Sequence, residues 1–307
     1  MVTSCRDMAA LKVHIKAMAV EAGAVAAGFA RIEPVDADAV ADYNRFLDAG
    51  GRAEMPYLER YLSIRRDPRL LFEPPASEGT VISMAFPYHH PGPNPLFARY
   101  AQGEDYHKVL RRRLKPVTRF ITENTGLRAR VCVDTAPLLE RYWAVKSGIG
   151  FVGKNRCLIV PGAGSWVFLA EIVTEALMEP DAPSAQSCRG CNACLRRCPH
   201  GALTSAGINP AKCLSCLTIE HREALPFTLT SRMVYGCDIC QAVCPHNAAP
   251  AAGLPEFAPT PGMLALTRSD VAAMTAERYD SLFASSAVRR CPLEQLKRNT
   301  GMSVAGD

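Results

Sequence analysis

The stretch "SCRGCNACLRRCPHGAL", residues 187 to 203, sets cysteines at 188, 191, 194 and 198 and follows the last with Pro199. This is the C-x2-C-x2-C-x3-C-P run of bacterial two-cluster ferredoxins, in which three thiolates hold one [4Fe–4S] cluster and the fourth serves the other. A second run, "VYGCDICQAVCPHN", matches the last three positions with Cys237, Cys240 and Cys244 before Pro245, and carries Val234 where its first cysteine would stand. Exchanging the fourth ligands assigns Cys188, Cys191, Cys194 and Cys244 to one cluster, and Cys198, Cys237 and Cys240 to the other. The missing thiolate must come from elsewhere, and "AKCLSCLTIEH" offers Cys213 or Cys216. CxxC pairs also build tetrahedral zinc sites, but two Cys-Pro endings at ferredoxin spacing are not a zinc pattern. Two clusters with exchanged ligands lie close together and make a wire for single electrons.

The wire leaves most of the chain unexplained. With 307 residues, 48% of them apolar, the chain can bury a full core as one large domain or two smaller ones. The N-terminus mixes charges through its apolar positions and does not read as a secretory signal. No window reaches the length of uncharged apolar residues that a membrane span needs, so a cytoplasmic location is expected. Thirteen cysteines in that compartment point to metal or redox chemistry, because its thiols are kept reduced. The formal charge of +5 falls to roughly +1 once two thiolate-held clusters of about −2 each are counted. The basic runs at Lys108–Lys115 and Ile64–Arg69, the pair Arg196 and Arg197, and Arg289, Arg290, Lys297 and Arg298 read singly as solvated faces. Together they leave nucleic acid open as a partner. Cys5, Cys132, Cys157, Cys291 and the unused member of the Cys213/Cys216 pair read as small buried hydrophobes. His200 and His246 read as local packing groups.

An α+β chain is expected, in three parts. Residues 1–180 alternate helices and strands as an α/β substrate domain. Residues 181–252 form the two-cluster unit, and 253–307 a helical tail packing on the core. In the first part, a helix over about 7–22 leads to a strand at "AVAAGFA", and "TVISMAF" reads as a buried strand. "EDYHKVLRRRLKPVTRFITENTG" predicts a long helix kinked or broken near Pro116 and ended by Gly126. "RARVCVD" alternates as a strand and delivers Asp134 at its end, while "RCLIV" and "SWVFLAEIVT" supply two more strands. In the tail, "TRSDVAAMTAERYDSLF" predicts one capped helix. No GxGxxG follows a strand to suggest a dinucleotide.

Five blocks, "VDTAPLLERYWAVKSGIGFVGKN", "RYAQGEDYHKVLRRRLK", "GSWVFLAEIVT", "CLSCLTIEHR" and "GCDICQAVCPHN", together resemble the epoxyqueuosine reductases, cobalamin-dependent iron–sulfur enzymes of the last step of queuosine synthesis in tRNA. The resemblance runs from about residue 50 to 300. It implies a two-electron removal of the epoxide oxygen of epoxyqueuosine at the tRNA wobble position, leaving the alkene of queuosine. Electrons from an external donor such as flavodoxin or ferredoxin would pass through both clusters to cobalamin. By the same resemblance Asp134 is the proton donor and Cys213 the eighth cluster ligand. Cobalamin contacts fall at Tyr57, Arg99, Asp134, Leu158, Leu169, Ser215, Cys237 and Asp238, and a tRNA contact at Arg222. Desolvation in such a pocket is expected to raise the Asp134 carboxyl toward working pH. An aspartate capping the helix near "TAPLLERYW" is the competing reading.

Two departures stand out. Cys216 occupies a position usually aromatic in this family, and the chain ends at Asp307 without the helical-repeat domain that many members carry. Two other functions fit the wire: a corrinoid reductase of a small molecule, like the reductive dehalogenases, and an electron-carrier module for a partner enzyme. The former usually carry an export signal that is not seen here.

Overall fold

The structure, a computed structural model, describes residues 5–188, 190–226 and 229–302; the side chain of Cys5 lies outside what is described. Helix α1 (Cys5–Glu21) leads into strand β1 (Ala26–Arg31), and β2 (Thr80–Pro87) follows after a ten-residue helix over Ala37–Phe46 and several shorter helical pieces. Helix α2 (Tyr106–Thr125), strand β3 (Ala129–Cys132), helix α3 (Glu140–Lys146), the short strands β4 (Phe151–Val152) and β5 (Leu158–Ile159), and strand β6 (Val167–Thr174) complete the first part. The main sheet has the order β1-β2-β6-β3 with every pair antiparallel.

Alternation along the central strands explains why their sequences are apolar throughout. Ile82, Met84 and Phe86 of β2, with Phe168, Ala170 and Ile172 of β6, face α1 and α2 and meet Ile15, Leu110, Leu114, Val117 and Ile121. Their neighbours Val81 and Val173 point the other way, into a second core with Trp143 of α3. Helices on both faces leave the inner strands no solvated side, so every residue of β2 is buried. The odd residue in this pattern is Glu171, wholly buried in the middle of β6 opposite Ser83 and Cys132.

Helix α2 runs unbroken through Pro116, contrary to the expected break. Pro116 is exposed, so the helical carbonyl it leaves without a donor is free to meet water. Asp105 caps the start through the His107 N–H, and Gly126 ends the helix at φ 70°.

The cysteine-bearing region is built from turns and helices of one turn or little more: α4 (Ala193–Arg197), α5 (Leu214–Ile219) and α6 (Ile239–Ala242). In the tail the single expected helix is two, α7 (Arg268–Ala272) and α8 (Ala276–Phe283), because Thr267 and Thr275 each cap a separate start. A last helix, α9 (Leu293–Thr300), follows. Tail residues Met263, Val271, Phe283 and Leu296 share a core with Phe97, Ile219 and Tyr235 of the preceding parts. The tail also clamps α5: Asn299 Nδ2 donates to the carbonyls of Thr218 (2.9 Å) and Val234 (2.8 Å), and Gln295 Nε2 to Thr218 (3.0 Å).

At Gly28 of β1 the sheet passes so close to the end of α3 that an added Cβ would lie 1.9 Å from the Ser147 carbonyl oxygen. Gly28→Ala must push strand and helix apart, a core overpacking that costs about 1–3 kcal/mol. A clearly lower thermal midpoint of the anaerobically purified variant is the expected result.

Candidate active site and cluster cradles

Two cavities collect the cysteines. The first, of about 350 Å³, is lined by Cys188, Cys191, Cys194 and Cys244, with Asn155 and His246. The second, narrower at about 40 Å³, is lined by Cys198, Cys213, Cys237 and Cys240, again with Asn155. Cys216 lines neither cavity; its thiol is pushed up to about 12, chiefly by burial and then by the neighbouring Cys213, with Glu220 and Glu54 adding to it. Lys154 ties the first cradle to the α/β part, donating from Nζ to the Cys191 carbonyl (3.0 Å) and Asn192 Oδ1 (2.7 Å).

The donor set suits a positively charged core. Burial raises the thiols of Cys194 and Cys244, and the neighbouring cysteines of the same cradle raise them further. Burial likewise holds Cys237 up at about 12, with Cys213 and Cys198 adding to it. Thiols that face one another out of water ionise together only when cations are shared among them. Among the described residues, no three His, Cys, Asp or Glu side chains converge on the centre that a single ion needs.

Asp134 stands two residues beyond β3 with φ 53°, in the left-handed region that costs an aspartate about 1 kcal/mol or more. It caps no helix: α3 starts at Glu140 with Leu139 at its cap position. Its main-chain N–H donates to Glu140 Oε1. The side chain is 54% exposed although protein surrounds it on most sides, the mark of a group on the floor of an open cleft. Oδ2 meets His107 Nε2 at 2.9 Å, and Asp105 Oδ1 meets His107 Nδ1 at 2.8 Å. The Tyr106 hydroxyl also lies beside the Asp134 carboxylate and favours its charged form.

This arrangement corrects the expected titration of Asp134. Burial does raise its carboxyl, but bonds from His107 and Tyr106 and the nearby Arg290 outweigh that and hold it below the ordinary carboxylate range. Burial lowers His107, yet its two carboxylate partners carry it up to about 9. The shared proton therefore rests on His107 in the open cleft. Sequence reading missed His107 because the contact joins the first turn of α2 to a loop beyond β3; Asp105-x-His107 at a helix start was the local signal. Beneath this pair, burial raises both Glu140 and Glu171; the charge of Asp134 adds to it at Glu140 and that of Glu140 at Glu171, whose two oxygens have no hydrogen-bond partner among the described residues. One carboxylate inside "SWVFLAEIVT" was the legible sign of it.

The other predicted positions divide. Tyr57 lies by Asp134, with the Arg290 guanidinium 5.1 Å from its ring centre, and Arg290 is paired with Glu220 at 2.8 Å. Arg222 reaches the same corner through Gln295 and the Arg290 carbonyl (3.1 Å). Asp238 Oδ2 accepts the Arg99 N–H at 2.9 Å next to Cys237, and burial carries its carboxyl up to about 6. Leu158 and Leu169 share one apolar cluster. Ser215 stands in the first turn of α5, two residues beyond Cys213. Of the basic run on α2, Arg113 is bound to Glu256 (2.8 Å) and the Ala22 carbonyl, while Arg111 donates to Thr135 Oγ1 (2.8 Å) beside Asp134.

Residues 65–135 match the family described as epoxyqueuosine reductase QueG, DUF1730, and residues 187–247 match the 4Fe-4S double cluster binding domain. The epoxyqueuosine reductase of Cellulophaga algicola is 34% identical over 295 residues, covering 93% of this chain and 95% of the relative. The chain belongs to the epoxyqueuosine reductase family. The Gloeobacter violaceus relative is 34% identical over 320 residues, with 98% of both chains covered. A crystal structure of epoxyqueuosine reductase with an epoxyqueuosine-modified tRNA-Tyr stem loop matches with a TM-score of 0.84 at 28% identity, covering 95% of this chain and 80% of that one. The chain is thus an oxidoreductase with a double-cluster domain, and among its described residues no helix is long and apolar enough to cross a membrane.

Protein purified without oxygen should hold about eight irons per chain in two clusters. Cys213→Ala should lower that count, whereas Cys216→Ala should leave it intact; iron analysis showing the reverse would exchange their roles.

Proposed function

We propose that the chain reduces epoxyqueuosine to queuosine at the wobble position of tRNA, with electrons passing through the two clusters to cobalamin and Asp134 supplying the proton. The observation that carries this reading is the half-exposed Asp134 carboxylate paired with His107 at 2.9 Å, in a chain that also carries the two cysteine-lined cavities. Two relatives support it. One is an epoxyqueuosine reductase solved with an epoxyqueuosine-modified stem loop; the other, from Bacillus subtilis, has an aspartate catalytic loop swung out of its active site. The three-part division, 1–180, 181–252 and 253–307, is part of the proposal. So are the ligand sets, Cys188, Cys191, Cys194 and Cys244 for one cluster, and Cys198, Cys213, Cys237 and Cys240 for the other.

The residues between cradles and cleft fit a corrin, a broad disc with apolar faces and a polar rim. Leu158 and Leu169 form an apolar wall, and Tyr57, Arg99, Ser215, Cys237 and Asp238 would hold the rim. Cobalamin, when bound, supplies strongly reducing cobalt chemistry at the epoxide carbons.

The balance of the reaction sets what the chain must do. Both C–O bonds of the epoxide break and one C=C bond forms, so two electrons and two protons enter and one water leaves. Asp134 and His107 hold one of those protons between Oδ2 and Nε2. Covering the cleft with base and cofactor removes water, and loss of water disfavours a charge-separated pair relative to the neutral one. The proton then moves to Asp134, next to the oxygen that develops negative charge. Asp105 steadies the ring of His107, and Tyr106 holds the carboxyl in place.

Accumulation of epoxyqueuosine in tRNA from cells lacking the gene tests the function; unchanged queuosine would end this reading. Asp134→Asn should keep both clusters and lose about 10²–10⁴-fold in turnover, the usual loss for a general acid. The pH dependence follows from His107, whose folded value lies above its ordinary 6.5. Its contribution is full below about 6.5 and is lost as pH rises through about 9, so turnover should fall on that alkaline limb, and His107→Gln should abolish the limb.

Phosphate contacts belong to cations that keep a free side at the cleft. Arg111→Gln and Arg222→Gln should each lower the salt slope of tRNA binding by about 0.7–0.9, the share of one neutralised phosphate. Arg113→Gln should leave the slope unchanged, because Glu256 already holds that guanidinium.

A further inference from the structure

Strands β4 and β5 form a hairpin whose turn, residues 153–157, lies against both cysteine cradles. The Gly153 N–H donates to the Cys157 carbonyl and the Arg156 N–H to the Gly153 carbonyl, both at 2.9 Å, and Arg156 takes φ 66° to close the turn. Lys154 holds it to the loop of the first cradle. Asn155, only 5% exposed, lines both cavities.

The amide of Asn155 has a fixed sense. Its Oδ1 accepts the Cys157 N–H at 3.2 Å, a bond that the nitrogen end of the amide cannot accept. That leaves Nδ2, a donor of two hydrogens, buried and without any hydrogen-bond partner among the described residues. Buried amide donors are almost always satisfied in native proteins, so an orphan between two cavities points to a ligand in them. The acceptors that a cubane cluster offers are its sulfides and the thiolate sulfurs, and hydrogen bonds to sulfur are among the features that set cluster potentials.

We infer that Asn155 is a donor shared by the two clusters, directing one Nδ2 hydrogen to sulfur of each and raising both reduction potentials. The inference rests on the two-cluster reading of the cradles. An N–H···S bond strengthens as negative charge builds on the cluster, so it favours the reduced form. A donor held by a rigid turn favours it without reorganisation. One side chain serving both clusters links their potentials, and the hairpin that carries it belongs to the substrate-bearing part of the chain.

The test is a redox titration of the anaerobically purified protein followed by electron paramagnetic resonance, on the wild type, Asn155→Leu and Asn155→Ser. In the Leu variant, with iron content unchanged, the reduced-to-oxidised ratio of both clusters at a fixed potential should fall about tenfold, a shift of about 59 mV for a one-electron couple. The Ser variant, which restores a donor, should recover part of it. Unchanged potentials with full iron would overturn the inference, and a wild type without eight irons would instead overturn the cluster reading beneath it. Should the substitutions lose iron, wild-type protein with ¹⁵N in its asparagine side-chain amides still decides. Asn155 is the one asparagine lining the second cavity among the described residues. A ¹⁵N hyperfine coupling at that reduced cluster supports the inference, and its absence refutes it.

Discussion

Nine cysteines crowded between residues 188 and 244, eight of them lining the two cavities, impose the constraint on which the rest depends. Buried thiols facing each other resist ionisation, and a segment built from helices of a turn or so has little else to hold it. Its own apolar core amounts to Leu214, Leu217 and Leu229 with Met302 of the tail. Such a segment gains its fold from the clusters it binds, because ligation free energy is folding free energy where the site does not exist in the unfolded chain. The remaining support comes from outside: Lys154 grips the first cradle, and Asn299 and Gln295 grip the helix that follows Cys213. The α/β part and the tail are therefore the two jaws that fix where the clusters sit.

The same α/β part carries the strained loop of Asp134. An aspartate at φ 53° persists because its neighbours over-determine it: Glu140 takes its N–H, His107 and Tyr106 take its carboxylate, and Arg111 bonds the hydroxyl of Thr135. These partners come from α2 and α3, on opposite faces of the sheet. The loop is thus a place where the two layers meet at the open end of β3, where sheet hydrogen bonding has ended. A chain position free of sheet pairing yet fixed by side chains can present a carboxyl to a ligand without the mobility of an ordinary loop.

How much of this the sequence disclosed follows from the range of each interaction. The cysteine runs are local in sequence and their ferredoxin spacing named the cofactor class outright. β2 and β6 were legible because burial on both faces leaves no polar register, and α2 because its caps, Asp105 and Gly126, are local as well. The unbroken passage through Pro116 was not, since it turns on which side of the helix meets water. Nor was the split of the tail helix, where Thr275 reads equally well as an interior residue until its side chain is seen on the Arg278 N–H. The lowered titration of Asp134 in the open cleft is not legible in sequence for a related reason. Desolvation is written in the apolar flanks of β3, whereas His107 lies 27 residues upstream and is brought near only by the packing of α2 on the sheet.

Below Asp134 the electrostatics run in one direction. Among the described residues Glu171 has no hydrogen-bond partner, and the charge of Asp134 bears most on Glu140, so both keep their protons while Asp134 loses its own. Were Glu140 ionised, its charge beside the Asp134 loop would lift the Asp134 carboxyl and weaken its claim on His107. With Glu140 and Glu171 protonated, the negative charges at His107 are those of Asp134 and Asp105, one against each ring nitrogen. What covers the cleft then decides where the proton sits. Open to water, the pair is ionic; roofed by apolar surface, it is neutral, with the proton on the carboxyl. On the proposed reading of Asp134 as the proton donor, the acid is armed by the arrival of what it acts on, and the idle cleft shows solvent a carboxylate.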